Sequence, residues 1–130
     1  MKITNTILID DDPILRFSVK KIIKEYLGNE HFISFASGYD ALDYLNTFTC
    51  VAGTCKILVL LDLHMPVLTG TEFLKLFEKQ LMEKKDIISI HVLSATTGAK
   101  EKKAVLQNTL VDGFISKPVT TEELRVLFNS

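Results

Sequence analysis

A three-layer α/β sandwich, with a five-stranded parallel sheet held between helices, is the fold class this sequence predicts, and three observations predict it. Five short apolar, branched runs recur along the chain, at residues 6–9, 31–35, 56–61, 87–93 and 113–116. Segments of helical apolar spacing separate them, and strands alternating with helices imply parallel pairing through right-handed crossovers. The third run, Ile57-Leu58-Val59-Leu60-Leu61, has no polar alternation, which is expected of a central strand covered on both faces.

The helices follow in order. Leu15, Val19, Ile22, Ile23 and Tyr26 form one apolar stripe, and Asp12-Pro13 ahead of it suits a helix start, with an aspartate cap and proline at the first helical position. A weaker helix fits residues 38–46. Phe73, Leu74, Phe77 and Leu81 form the second strong stripe. The fourth helix, over 100–107, is the least stable expectation: Lys100-Glu101-Lys102-Lys103 is polar and only Ala104, Val105 and Leu106 offer apolar contact, so movement is expected there. A fifth helix fits 121–128, where Thr120 or Thr121 can cap ahead of Glu122-Glu123.

With 130 residues, 47% of them hydrophobic, the chain suits one domain spanning 1–130, and a second domain does not fit. No repeat, low-complexity tract or linker interrupts it. Fifteen Lys and Arg against 16 Asp and Glu leave a net charge of −1, which supplies no general field for nucleic acid or an anionic membrane. Neither a signal peptide nor a membrane span can be drawn, so a cytoplasmic protein is expected. Cys50 and Cys55 lack the Cys or His partners of a zinc site and are expected to be ordinary reduced residues.

The chemistry sits at strand ends. Asp10, Asp11 and Asp12 follow the first strand, Asp62 ends the third, Ser94 ends the fourth and Lys117 follows the fifth. Sites in such folds gather at the carboxyl ends of strands, so these groups should meet at one sheet edge. Carboxylates brought together raise one another's pKa unless a cation intervenes. Oxygen donors and a nearby lysine suit Mg²⁺, which often shares its site with phosphate. Asp62 is then the natural nucleophile for a phosphoryl group, with Lys117 and the Ser94 hydroxyl neutralising and placing its oxygens. Blander readings exist for each residue alone: Asp62 as a turn aspartate, Lys117 as a surface lysine, Ser94 as a helix cap, Phe114 as an edge-strand aromatic. Capping by Asp12 leaves Asp10 and Asp11 unexplained. His31 and His91 have no ligand companions in sequence and read as structural.

Ile7-Leu8-Ile9-Asp10-Asp11-Asp12-Pro13 with Arg16, Leu61-Asp62-Leu63-His64-Met65-Pro66 with Gly70, Val92-Leu93-Ser94-Ala95, and Gly113-Phe114-Ile115-Ser116-Lys117-Pro118 together resemble the receiver domains of two-component response regulators, most closely the stand-alone, chemotaxis-regulator-like kind. The match runs in order over nearly the whole chain. The resemblance implies a flavodoxin-like sheet of order 2-1-3-4-5 with five helices. It makes Asp62 the phosphoacceptor, and has Mg²⁺ held by Asp10, Asp11, Asp62 and the His64 backbone carbonyl, with Asp11 the more direct ligand. Ser94 and Phe114 become the switch residues, Lys117 the partner of the phosphoryl group, and the Lys117-Pro118 bond cis. His64 and Thr96 fall at positions that resemble tuners of hydrolysis rate. Ser94 stands where Thr is commoner and Phe114 where many relatives have Tyr; both keep the chemistry.

The implied function is a single-domain switch. Asp62 accepts phosphate from a sensor histidine kinase or phosphotransfer protein, and affinity for an unidentified downstream protein changes at the face of the fourth helix, fifth strand and fifth helix. No nucleic acid or membrane partner, a monomer or weak dimer, and no enzyme activity beyond the domain's own phosphoryl transfer and loss are expected. Two rivals stand beside this. A phosphatase of the haloacid dehalogenase type would place an aspartate two residues after the nucleophile, where this chain has His64. A receiver-like binding module that is never phosphorylated would not need the set Asp10, Asp11, Asp62, Ser94 and Lys117.

Overall fold

The computed structural model describes residues 2–51, 53–95 and 98–129. Five strands, β1 (Asn5–Ile9), β2 (Phe32–Phe35), β3 (Ile57–Asp62), β4 (Ile88–Ser94) and β5 (Gly113–Ser116), alternate with α1 (Pro13–Lys21), α2 (Gly38–Thr47), α3 (Gly70–Gln80), α4 (Ala99–Leu106) and α5 (Thr121–Phe128). All strand pairs are parallel and the order is β2-β1-β3-β4-β5, the expected one.

Every residue of β3 is buried, because alternate side chains enter two separate cores. Ile57, Val59 and Leu61 join Ile7, Ile9, Ile90, Val92 and the Phe73–Phe77 stripe of α3 on one face. Leu58 and Leu60 join Leu8, Leu93, Val19 of α1 and Leu124 of α5 on the other. An apolar run without alternation is thus the signature of two covered faces.

Local signals set the helix starts. Asp12 caps α1 by accepting from the Ile14 N–H at 2.9 Å, with Pro13 at the first helical position. Thr120, of the two threonines expected, caps α5 and forms a reciprocal box with Glu123. A like box joins Thr69 and Glu72 at α3. The sparse apolar contact expected of α4 is present: none of its residues is buried, and of Ala99, Ala104, Val105 and Leu106 only Val105 packs against the core.

Three features depart from expectation. The first stripe does not end on Tyr26, which is 59% exposed. A π-helical turn at Ile22–Tyr26, closed by Leu27 N–H to Ile22 C=O at 3.2 Å, widens the helix and turns Leu27 to the core in its place. A 3₁₀ turn at Met82–Ile87 lies between α3 and β4, where none was expected; within it Lys84 donates to the carbonyls of Leu45, Asn46 and Phe48 at the end of α2. Finally, Cys50 and Cys55 are not free thiols but form a disulfide, with Cα atoms 6.3 Å apart. The turn closed by Thr54 N–H to Val51 C=O, with Gly53 at φ +79°, brings them into bridging range. No helix among the described residues is long and apolar enough to cross a membrane.

Candidate acidic site at the carboxyl edge of the sheet

Asp10 follows β1 directly and is fully buried. Its Oδ1 accepts from the Asp12 N–H at 2.9 Å, and its carbonyl accepts from Arg16 Nη1 at 2.8 Å. Arg16, noted in sequence only as part of a motif, thereby fixes the turn that presents the acidic residues. Asp11 next to it is exposed.

Asp62 ends β3 and is buried, paired in register with Leu93 of β4. Its Oδ1 accepts from the His64 N–H at 3.3 Å. The loop beyond makes a γ-turn, Leu68 N–H to Pro66 C=O at 2.8 Å around Val67 at φ +69°, then enters α3 at Gly70. Gly70 has to be glycine: a Cβ there would lie 2.7 Å from the Asp62 carbonyl oxygen and 2.8 Å from the Leu63 Cα, both backbone atoms. The start of α3 therefore rests directly on the strand end that carries Asp62.

Lys117 comes from beyond β5 and crosses to these carboxylates, its Nζ 2.9 Å from Asp10 Oδ2 and 3.3 Å from Asp62 Oδ1. The Lys117–Pro118 bond is cis, as the resemblance implied. Ser94, fully buried, sits at the end of β4 one residue past the partner of Asp62, and its carbonyl accepts from the Lys117 N–H at 2.9 Å. Phe114 is half-buried on β5 with the Lys102 ammonium 5.7 Å from its ring centre. The distances thus join Asp10, Asp11, Asp62 and Lys117, while strand register places Ser94 beside them. Thr96 lies outside the described residues.

Charge is unbalanced here. Burial, then the neighbouring Asp10 charge, raises the Asp62 pKa, with Lys117 and the His64 N–H opposing. Burial lowers that of Lys117, but the close contact and charge of Asp10, followed by Asp62, outweigh it and the net shift is upward. Three carboxylates face one ammonium group.

The donor set fits a hard divalent cation. Asp10, Asp11 and Asp62 each offer an oxygen, all within 4.8 Å of one another. Ligands at about 2.1 Å from Mg²⁺ lie up to about 4.2 Å apart, so a small closure of these oxygens suffices. Buried Asp10 Oδ2 has no aligned hydrogen bond, the Lys117 ammonium beside it being an ion pair, so a lone pair remains to be satisfied. One site residue was not legible in sequence: Glu101 of α4, whose Oε1 lies 2.7 Å from His64 Nε2.

A doubly wound sheet of order 2-1-3-4-5 with acidic residues after β1 and β3 and a lysine after β5 defines the receiver class of α/β domain. The response regulator receiver domain profile matches residues 6–129, and the chain belongs to that family, whose members act in two-component signalling by phosphorylation of an aspartate. Among solved structures, a two-component response regulator from Cytophaga hutchinsonii is 29% identical with a TM-score of 0.86, covering 99% of this chain and 96% of that one. A CheY-like response regulator receiver domain protein from Methanospirillum hungatei is 28% identical with a TM-score of 0.74, over 95% of this chain and 90% of that one. A receiver protein from Dyadobacter fermentans, 23% identical at a TM-score of 0.84 over 95% and 93%, shares the fold. A comparison with curated proteins finds no match.

Proposed function

We propose that Asp62 is the phosphoacceptor of this receiver domain and takes its phosphoryl group from a phosphohistidine on a sensor histidine kinase or phosphotransfer protein. The observation that carries this is the placement of Lys117 Nζ against both Asp62 and Asp10, with the Asp11 carboxylate alongside.

Asp10, Asp11, Asp62 and the His64 carbonyl are the groups that would hold Mg²⁺. When bound, the ion supplies charge neutralisation at the transferring oxygens. The residues of the chain do the rest. Asp62 is anchored by the His64 N–H on Oδ1, which steadies the carboxylate as nucleophile; its oxygen attacks phosphorus as the P–N bond to the donor histidine breaks. Lys117 neutralises charge without moving far, since its ammonium already touches the carboxylate. No general base is required, because Asp62 attacks ionised.

Phosphorylation replaces the single carboxylate charge of Asp62 with a phosphoryl group of about two negative charges, a net gain of about one, and brings three acceptor oxygens. Ser94, one residue from the register partner of Asp62, is the hydroxyl placed to follow that charge, and Phe114 is its companion on β5. The shift alters affinity for a protein partner at the α4-β5-α5 face. The domain works on its own aspartate in the cytoplasm, as a monomer or weak dimer, and turns over no separate substrate.

Incubation with Mg²⁺ and acetyl phosphate tests this. One acid-stable, base-labile phosphoryl adduct, absent from Asp62→Asn, is expected by intact mass. Absence of an adduct on the wild-type chain, or its persistence in Asp62→Asn, would sink the reading, and steady turnover of phosphate esters would favour a phosphatase instead.

A further inference from the structure

Packing holds α4 weakly, since none of its side chains is buried and no side chain caps its start. Its first turn nevertheless reaches both flanks of the acidic site. Glu101 meets His64, two residues beyond Asp62, at 2.7 Å. Lys102, the next residue, sets its ammonium over Phe114, three residues before Lys117. Successive helix positions project about 100° apart, so the two side chains diverge to opposite sides.

The His64 contact continues into the site. A carboxylate only accepts, so His64 Nε2 is the donor to Glu101. The main-chain N–H of the same histidine donates to Asp62 Oδ1. One path of polar contacts therefore runs from α4 through His64 to Asp62.

We infer that Glu101 is a positioning residue for the phosphoryl chemistry: its grip on His64 straps α4 to the Asp62 loop in the unphosphorylated domain, and the strap opens when Asp62 is loaded. This rests on the reading above that Ser94 follows the phosphoryl group. Gly98, the N-cap of α4, is only four residues beyond Ser94, so a movement of Ser94 has a short covalent path to the first turn of α4. A 2.7 Å contact ceases to be a hydrogen bond beyond about 3.5 Å, so less than about 1 Å of relative displacement breaks it. The strap then favours the unloaded state by the worth of the contact. His64 is 63% exposed and Glu101 35%, which limits that worth to a factor of about 1.5 to 5 in affinity.

The test titrates beryllofluoride with Mg²⁺ into the full chain and reads backbone amide shifts by NMR, with apo thermal midpoints as the check on folding. Glu101→Ala and His64→Ala are each expected to bind beryllofluoride about 1.5- to 5-fold tighter than wild type, and the double variant no tighter than either. Glu101→Gln keeps an acceptor and stays close to wild type, and the His64 imidazole nitrogen shifts of the apo protein move in Glu101→Ala but not in Glu101→Gln. Glu101→Lys, which sets a donor where His64 Nε2 needs an acceptor, supplies an independent disruption expected to tighten binding as well. Unchanged or weaker binding in the variants, or additive effects in the double variant, overturns the strap while a wild type that binds beryllofluoride leaves the phosphoacceptor reading standing. A wild type that binds none at Asp62 overturns both.

Discussion

The Lys117 ammonium lies nearer to Asp10 than to Asp62, 2.9 Å from the Asp10 Oδ2 against 3.3 Å from the Asp62 Oδ1. Asp10 is fully buried and its Oδ2 accepts no aligned hydrogen bond, so Lys117 is its charge partner from across the sheet. Removing one member of such a pair leaves a buried charge uncompensated. Lys117→Met is therefore expected to destabilise the metal-free domain by about 2 kcal/mol, a value below the range for fully buried pairs because the lysine is 20% exposed. Urea unfolding with and without Mg²⁺ checks it. A stability unchanged in chelator would show that the pair contributes nothing.

Asp62 is held under opposite conditions, its carboxylate disfavoured first by burial and then by Asp10. Asp62→Asn keeps the shape and removes the charge, so the metal-free variant is expected to be more stable than wild type near neutral pH, by about 1 kcal/mol or more. Added Mg²⁺ should stabilise wild type and do much less for Asp62→Asn, since only a state that binds the ion gains from it. Equal Mg²⁺-induced shifts in melting temperature would count against Asp62 as a ligand.

His91 gives the domain a pH dependence away from the acidic site. Burial first, then Lys85 and Lys56, lowers its pKa below 6.5, with Asp112 opposing. Above pH 6.5 neither folded nor unfolded chain is protonated there, and the residue adds no slope. As pH falls through 6.5 the unfolded chain takes the proton first, so stability is lost until the lower folded pKa is reached. Denaturation midpoints between pH 7.5 and about 5 should fall more steeply for wild type than for His91→Gln. Parallel curves would remove His91 as the cause.

Gly70 supports the strand end that bears Asp62. Alanine there must push α3 off the Asp62 and Leu63 backbone, at a cost of about 1 to 3 kcal/mol. The same displacement should lower acetyl phosphate labelling of Asp62 at conditions where the variant is still folded. Labelling at the wild-type rate would mean that α3 yields without moving the site.

The disulfide can be read directly. Closing so short a loop lowers the entropy of the unfolded chain by an amount worth about 2 kcal/mol. Dithiothreitol, or Cys50→Ser with Cys55→Ser, should lower the melting temperature by about 4–8 °C, and the reductant should do nothing further to the double variant. Thiol titration of the untreated unfolded chain finds no free thiol if the bridge is present and two if it is not.

Sequence alone determined the strand count, the parallel pairing implied by alternation, and which residues stand at strand ends, because periodicity and turn chemistry act over a few residues. Central β3 was readable from its unbroken apolar run and α4 from its poverty of apolar residues. The strand order and the cis Lys117–Pro118 bond came from family resemblance, and the structure shows both. What tertiary structure decided depends on groups far apart in the chain or on a single added residue. The π-helical turn that exchanges Tyr26 for Leu27 leaves no mark in an apolar stripe, since both residues satisfy the pattern. The Cys50–Cys55 bridge needed the turn geometry, and the division of Lys117 between two aspartates needed the sheet to bring the ends of β1, β3 and β5 together. Glu101 meets His64 across 37 residues, a distance over which no local pattern carries information and only the packed fold does.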